Sequence, residues 1–99
     1  MKVNYALHGV RFEWDSHKAS INLRKHGVSF EVACEAFFDP FLRVMDVQQE
    51  NGEFREAIVG MTTNWKLLYV VYSIHEEDIF RIISARRTTK SERRFYEDY

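Results

Sequence analysis

Two neighbouring residues of the chain, Lys25 and His26, have side chains suited to phosphate chemistry. An imidazole titrates near neutral pH and can move a proton to or from a hydroxyl group. An ammonium group stabilises the negative charge of a phosphate under attack. Lys18 and Asn22 precede His26 at helical spacing, which places the three side chains roughly on one helix face. The structural alternative is that His26 caps the C-terminus of this helix.

A second set of cations lies near the end of the sequence. Regular strand alternation over residues 79–86 places Phe80, Ile82, Ser84 and Arg86 on one face and Ile79, Arg81, Ile83 and Ala85 on the other. Arg81 then has apolar surroundings and needs a partner, which is either a phosphate or an acidic side chain in a structural ion pair. Arg81 and Arg86 serve one site only if the strand has a bulge or if one side chain reaches around an edge.

Cations and aromatic rings alternate in the C-terminal segment. Arg93 lies there with Lys90, Arg94, Phe95 and Tyr96. Aromatic rings among cations can stack on bases. The alternative is that the same residues pack a helix onto the sheet.

The elements that must position these residues can be read from capping and turn signals. Residues 10–14 are typical of a short strand, Asp15 is a helix N-cap, and Gly27 suits a left-handed C-cap. Ser29 opens a second helix over residues 30–38, with Phe30, Ala33, Cys34 and Phe37 on one apolar stripe, and Asp39-Pro40 ends it. Strands are predicted at residues 42–47, 54–62, 66–74 and 79–86, with turns at Asn51-Gly52 and at residues 75–78. Thr89 to Glu92 has capping-box spacing and opens a C-terminal helix. The expected fold is α+β: a short N-terminal strand, two helices, a four-stranded antiparallel meander and a last helix.

Composition limits the classes of protein to consider. The 99 residues make a single domain, residues 1–99, with 45% apolar residues to form one core. The one cysteine, Cys34, is expected to be a buried thiol. The net charge is −1, but it is +3 over residues 1–30, −5 over 31–56 and +1 over 57–99. This segregation favours a polyanion near the two ends of the chain, although long charged side chains also simply solvate helices.

Several kinds of site are not indicated. The histidines and Cys34 lack metal-ligand spacing, and no glycine-rich phosphate loop or nucleophile elbow is present. We therefore expect no metal and no cofactor. The longest apolar run, residues 67–72, is too short to span a bilayer, and no secretion signal follows Lys2. A cytoplasmic protein without a membrane partner is expected.

An ordered set of motifs resembles the BrnT family of bacterial type II toxins. It comprises Phe12-Glu13-Trp14-Asp15, Lys18, Asn22, Lys25 to Phe30, Phe38-Asp39-Pro40, Gly52 to Arg55, Arg81 to Arg86 and Lys90 to Glu97. The resemblance implies a RelE-like fold and a ribonuclease that cleaves RNA and halts translation. It also implies a cognate antitoxin with a ribbon-helix-helix DNA-binding domain, and through it operator DNA as an indirect partner. Residues 1–11 extend beyond the usual start of the motif, as an added strand or through the choice of start codon.

The histidine and the cations suggest that RNA is cleaved without a metal ion, with the ribose 2′-hydroxyl group as the nucleophile. We assign proton transfer to His26, and phosphate binding and transition-state charge to Lys25, Arg81 and Arg86. Lys18 and Arg93 are expected to hold flanking phosphates. In RelE-like toxins Lys and Arg can take over proton transfer, which leaves His26 a structural role.

Two other functions are compatible with the sequence. One is a non-catalytic subunit that acts as co-repressor with a DNA-binding antitoxin, and the other is a structural oligomer. The acidic middle of the chain suits a toxin that binds its antitoxin on one surface and RNA on a separate basic surface. A simple oligomer gives no reason for the charges to be separated in this way.

Overall fold

The computed structural model describes residues 1–50, 52–75 and 78–98. The chain runs through β1 (Lys2–Leu7), β2 (Val10–Asp15), α1 (Ser16–His26), α2 (Phe30–Glu35), β3 (Arg43–Glu50), β4 (Glu53–Met61), β5 (Leu67–His75), β6 (Ile79–Arg87) and α3 (Lys90–Glu97). A 3-10 turn, Ala36–Phe38, continues α2. The six strands form one sheet in the order β1-β2-β6-β5-β4-β3. The expected α+β class and the antiparallel meander, here β3 to β6, are confirmed.

The sheet is larger than the predicted four strands, because the N-terminal segment joins it. β2 pairs in parallel with β6, with Phe12 opposite Phe80 and Glu13 opposite Arg81. Residues Lys2–Leu7 form an added strand, β1, which pairs antiparallel with the outer edge of β2. β6 therefore lies inside the sheet, between β2 and β5.

The helix ends follow the capping signals. The Asp15 carboxylate accepts a hydrogen bond from the Lys18 backbone N–H at 3.0 Å, and Gly27 ends α1 with a φ of 70°. Thr89 and Glu92 form the expected capping box of α3. The predicted Asn51-Gly52 and 75–78 turns include Asn51, Glu76 and Glu77, which lie outside the described residues; Gly52 has a φ of 76°.

The hydrophobic core fills the space between one sheet face and α2. The expected apolar stripe of α2 is confirmed, since Phe30, Ala33 and Cys34 are fully buried and Phe37 packs against the core. The Cys34 thiol is free, and burial raises its pKa well above the ordinary value. The opposite sheet face carries Arg55, Ser73 and Arg81 at one end, and we call it the polar face. 

A β-bulge in β6 changes which residues share a face. Val71 is opposite Ser84 and Tyr72 is opposite Ile82, so Ile83 is an extra residue. The regular alternation predicted beyond Ile83 is therefore wrong. Ala85 faces the core, and Arg86 lies on the polar face with Arg81.

Candidate nucleic-acid interface

β2 pairs with only the first part of β6 and ends at Asp15. The rest of that edge of β6 has no neighbouring strand among the described residues, and α1 runs along it. Asn22 of α1 takes the place of the missing strand, because its side chain bonds both backbone groups of Ala85. The amide oxygen accepts from Ala85 N–H at 3.1 Å, and the amide nitrogen donates to Ala85 C=O at 2.9 Å and to Val28 C=O at 3.0 Å. Asn22 is buried as a result. This contact fixes the distance between α1 and β6.

An open groove follows the line between α1 and β6. It consists of two adjoining pockets of about 220 Å³ each, which share Lys18 and Ile83. One is lined by Asp15, Lys18, Arg81, Ile82 and Ile83, and the other by Lys18, Ile21, Asn22, Lys25, His26, Ile83 and Ser84. We call the two together the α1–β6 groove. Four of the six site residues predicted from sequence line it: Lys18, Lys25, His26 and Arg81.

The cations of α1 are available to a ligand. Within the described ranges, no carboxylate lies within 4.0 Å of the charged atoms of Lys18, Lys25 or His26. Of the described residues that line the groove, Asp15 alone is acidic. Its carboxylate accepts from the Lys18 backbone and lies 3.2 Å from the N-terminal amine, and these two groups hold its pKa below the ordinary value. The groove thus presents net positive charge, which suits a phosphate.

The sequence suggested two possible partners for Arg81, an acidic side chain or a phosphate, and its position allows both. Its Nε lies 3.2 Å from Oε2 of Glu13, whose side chain is only 1% exposed. The Arg81 side chain itself remains 41% exposed and lines the groove beside Lys18. The structural ion pair and exposure to a ligand are therefore compatible in this residue.

Arg86 lies outside the α1–β6 groove. It shares the polar face with Arg81, but the residues opposite them, Tyr69 and Ser73, are roughly 13 Å apart along β5. Its two terminal nitrogens each donate to a Glu92 carboxylate oxygen at 2.8 Å, and its guanidinium stacks over the Tyr69 ring. Glu92 raises the pKa of Arg86, and Arg86 in turn lowers the pKa of Glu92. This arrangement attaches α3 to the sheet.

Arg93 also lies away from the groove. It is exposed on α3, where its Nη1 is 3.5 Å from Oε2 of Glu97. The aromatic neighbours predicted either to stack bases or to pack the helix do the latter. Tyr96 donates to Asp39 at 2.6 Å, and the Phe95 ring packs under the Arg43 guanidinium.

The sequence did not indicate a polar row that crosses the sheet on the polar face. Residues in register from β1 to β3 are Asn4, Glu13, Arg81, Ser73, Arg55 and Gln48. Arg55 is two strands, or about 10 Å, from Arg81. Arg55 also lies 3.2 Å from Glu53. Its position in Gly52-Glu53-Phe54-Arg55, just inside a predicted hairpin, was the one signal that could have placed it there.

Two further observations concern the whole described chain. Among residues 1–50, 52–75 and 78–98, no group of three His, Cys, Asp or Glu side chains is arranged to hold a metal ion. None of the helices in that same part of the chain has the length and apolar character needed to cross a membrane.

Comparison with known proteins identifies the relatives of this fold. The family model for BrnT, the ribonuclease toxin of type II toxin–antitoxin systems, matches residues 14–92. The 1.1 Å crystal structure of the Brucella abortus ribonuclease toxin BrnT is similar, with a TM-score of 0.56 and 21% sequence identity. The similarity covers 78% of this chain and 94% of that one. A search of curated proteins gave no significant match. Because the family model covers most of the chain, including α1 and β6, we conclude that the chain belongs to the BrnT family of ribonuclease toxins of type II toxin–antitoxin systems.

Proposed function

We propose that the α1–β6 groove is the RNA-cleaving site and that it acts without a metal ion. One observation carries this proposal: Lys18 and Lys25, which have no carboxylate nearby among the described residues, line the same groove as His26 and Arg81. Cations already held by acids attract a phosphate less strongly than cations without such partners. Membership of the family favours this ribonuclease over a non-catalytic co-repressor or a structural oligomer.

The proposed reaction uses the ribose 2′-hydroxyl as nucleophile. His26 accepts the proton of the 2′-hydroxyl as its oxygen attacks the adjacent phosphorus. The bond from phosphorus to the 5′-oxygen breaks as that oxygen takes a proton from water, and His26 afterwards releases its own proton to the solvent. The products are a 2′,3′-cyclic phosphate and a 5′-hydroxyl. Lys25 and Arg81 stabilise the charge of the phosphorane, and Lys18 holds a flanking phosphate.

In this scheme Arg86 and Arg93 have roles outside the chemistry. The paired oxygens of Glu92 occupy both terminal nitrogens of Arg86, so we assign Arg86 to the attachment of α3. Arg93 is assigned to the solvent-exposed face of α3. The alternative from the sequence is that Arg86 binds the scissile phosphate and Arg93 a flanking one. That alternative predicts a large loss of RNA cleavage when either arginine is replaced.

The biological setting follows from the same family. We propose that RNA cleavage by this chain halts translation in the cytoplasm, and that a cognate antitoxin neutralises it. We further propose that the antitoxin has a ribbon-helix-helix domain through which the complex binds and represses its operator DNA. The separation of charge along the chain supports two distinct surfaces, one for RNA and one for the antitoxin.

Cleavage of a 5′-labelled RNA by purified protein tests the site. With EDTA present, we expect cleavage that leaves cyclic phosphate ends and that fails on RNA with a 2′-deoxy substitution at the cut. His26→Ala and Arg81→Ala are each expected to lower kcat about 100-fold, the usual size of a lost proton-transfer or charge-stabilising group. Lys18→Ala is expected to raise KM with little change in kcat.

Arg93→Ala is the matched control and should stay within about twofold of the parent protein. Full activity of folded His26→Ala would remove this residue from the mechanism and leave it as a helix cap. Loss of cleavage in Arg93→Ala or in Arg86→Lys, with His26→Ala and Arg81→Ala unaffected, would move the site to the α3 end of the sheet. Activity abolished by EDTA and restored by a divalent cation would overturn the metal-free scheme.

A further inference from the structure

A buried carboxylate is shared by two cations at the side of the α1–β6 groove. Glu13 is in the interior of β2, and its side chain is 1% exposed. Its Oε1 lies 3.0 Å from Nζ of Lys2, and its Oε2 lies 3.2 Å from Nε of Arg81. Sheet register explains the grouping, because Glu13 is directly opposite Arg81 on β6 and opposite Asn4, two residues beyond Lys2, on β1.

The contact to Nε has a geometric consequence for Arg81. A guanidinium is planar and rigid, so a carboxylate that holds one side of it fixes the direction of the other nitrogens. The Arg81 side chain is 41% exposed and lines the pocket that also contains Lys18. Glu13 therefore holds the guanidinium from the sheet side while the groove side stays accessible.

The shared carboxylate also has a consequence for charge. Glu13 and Arg81 together carry no net charge, which would weaken the attraction of Arg81 for a phosphate. Lys2 adds one positive charge, so the three side chains together carry a charge of +1. Lys2 belongs to β1, and both Lys2 and Glu13 precede residues 14–92, which match the family model.

We propose that Glu13 is a positioning residue that orients Arg81 toward the RNA phosphate, and that Lys2 restores the positive charge that Glu13 removes. The inference rests on the proposed function, since it assumes that Arg81 contacts the RNA. It predicts opposite kinetic effects for the two partners of Arg81. Loss of the Glu13 charge releases the guanidinium without weakening the attraction for RNA, whereas loss of Lys2 weakens that attraction without releasing the guanidinium.

Steady-state cleavage of the same labelled RNA tests both effects. Glu13→Gln keeps the shape of the side chain and is expected to lower kcat about tenfold with KM unchanged or lower. Arg81→Lys keeps the charge but not the planar group, and it should lower kcat by a similar factor. In the Arg81→Lys background, Glu13→Gln should change kcat by less than about twofold, because coupled residues are not additive.

Lys2→Met tests the effect of the Lys2 charge on RNA binding. Because Lys2 is exposed, this change should not disturb the fold. It is expected to raise KM about threefold at low salt with kcat unchanged, and the effect should fade as salt is added. Lys66→Met is the matched control, an exposed lysine between β4 and β5, and it should leave both constants unchanged.

The outcomes separate this inference from the proposed site. If Arg81→Ala leaves cleavage intact, the proposed site is wrong. If Arg81→Ala abolishes cleavage but Glu13→Gln is fully active, or lowers kcat equally in both backgrounds, Glu13 does not position Arg81. If Glu13→Gln does not fold, the Lys2→Met result decides. The proposal is contradicted if Lys2→Met leaves KM unchanged. It is also contradicted if Lys66→Met raises KM as much as Lys2→Met does.

Discussion

Asn22 shows how one side chain can serve a different purpose from the one that its helical spacing suggests. Spacing placed it on a polar face with Lys18 and His26, and all three do line the groove. Asn22, however, is buried because its amide completes the hydrogen bonding of the β6 edge at Ala85. No local pattern could indicate this, since it depends on β2 ending before it reaches Ala85. The residue types of Lys25 and His26 were sufficient to suggest the role proposed for them, whereas those of Glu13 and Arg55 suggested none.

Replacing Asn22 with Asp should destabilise the fold while barely changing the shape of the side chain. A carboxylate cannot donate to the carbonyl oxygens of Val28 and Ala85, so both lose a buried hydrogen bond and face a negative charge. We expect the free energy of unfolding at neutral pH to fall by about 3 kcal/mol, measured by urea denaturation. Ser20→Ala, an exposed change on the same helix, should stay within about 0.5 kcal/mol. An equally small effect of Asn22→Asp would mean that α1 is held to β6 by other contacts.

At the level of elements, α3 is attached to the sheet by a charged pair. Glu92 accepts from both terminal nitrogens of Arg86 and from the Thr89 backbone N–H at 2.9 Å, so it joins the end of β6 to the start of α3. Arg86, followed by the Thr89 contacts, holds the pKa of Glu92 below its ordinary value of 4.5, although burial opposes the shift. The folded state therefore favours the ionised carboxylate more than the unfolded state does.

The stabilisation by Glu92 should depend on pH in one direction. It is fully present above the unfolded pKa near 4.5 and is lost as the pH falls through the lower folded pKa. We expect Glu92→Gln to cost about 2 kcal/mol at neutral pH and clearly less at about pH 3, measured by urea denaturation at both pH values. Glu97→Gln, an exposed acid on the same helix, serves as control. A Glu92→Gln cost that stays constant over this range would contradict the ion pair.

The helices and the antiparallel meander of β3 to β6 were predictable from the sequence, and the pairing of β1 and β2 with the rest of the sheet was not. Asp15, Gly27 and Thr89 are local signals, since each satisfies or accommodates backbone groups within one turn of its own position. The parallel pairing of β2 with β6 joins segments from opposite ends of the chain, and the extra residue Ile83 leaves no mark in the alternation of side chains. The bulge therefore determined the faces of Arg81 and Arg86 in a way that period-two counting could not.

At the scale of the whole molecule, β1 extends both the sheet and the core. Val3, Tyr5 and Leu7 pack against the core, with the Tyr5 ring centroid 5.5 Å from that of Trp14. The Met1 carbonyl also accepts a hydrogen bond from the Ser16 backbone at 2.8 Å. The strand thus covers one side of β2, which carries Glu13 beside Arg81.

Deleting residues 1–8 should lower the free energy of unfolding by about 3 kcal/mol, because three half-buried apolar side chains lose their packing. The measurement is urea denaturation of the shortened and full-length proteins. Asn4→Ala in the full chain keeps the strand and its core-facing residues, and it should change stability by less than about 0.5 kcal/mol. A shortened protein as stable as the full chain would show that the packing of β1 adds nothing to the stability of the fold.

β6 is the last strand in the chain, yet it is inserted between β2 and β5. Pairings between such distant segments form slowly, because the long loop between them must close first. Residues 10–26 leave the ribosome early, but the groove has no second wall until residues 79–87 have followed and entered the sheet. A ribonuclease with the site proposed above would therefore be inactive until β6 has joined the sheet. We therefore expect the order of the strands to delay activity, and during that delay a cognate antitoxin can reach the new chain.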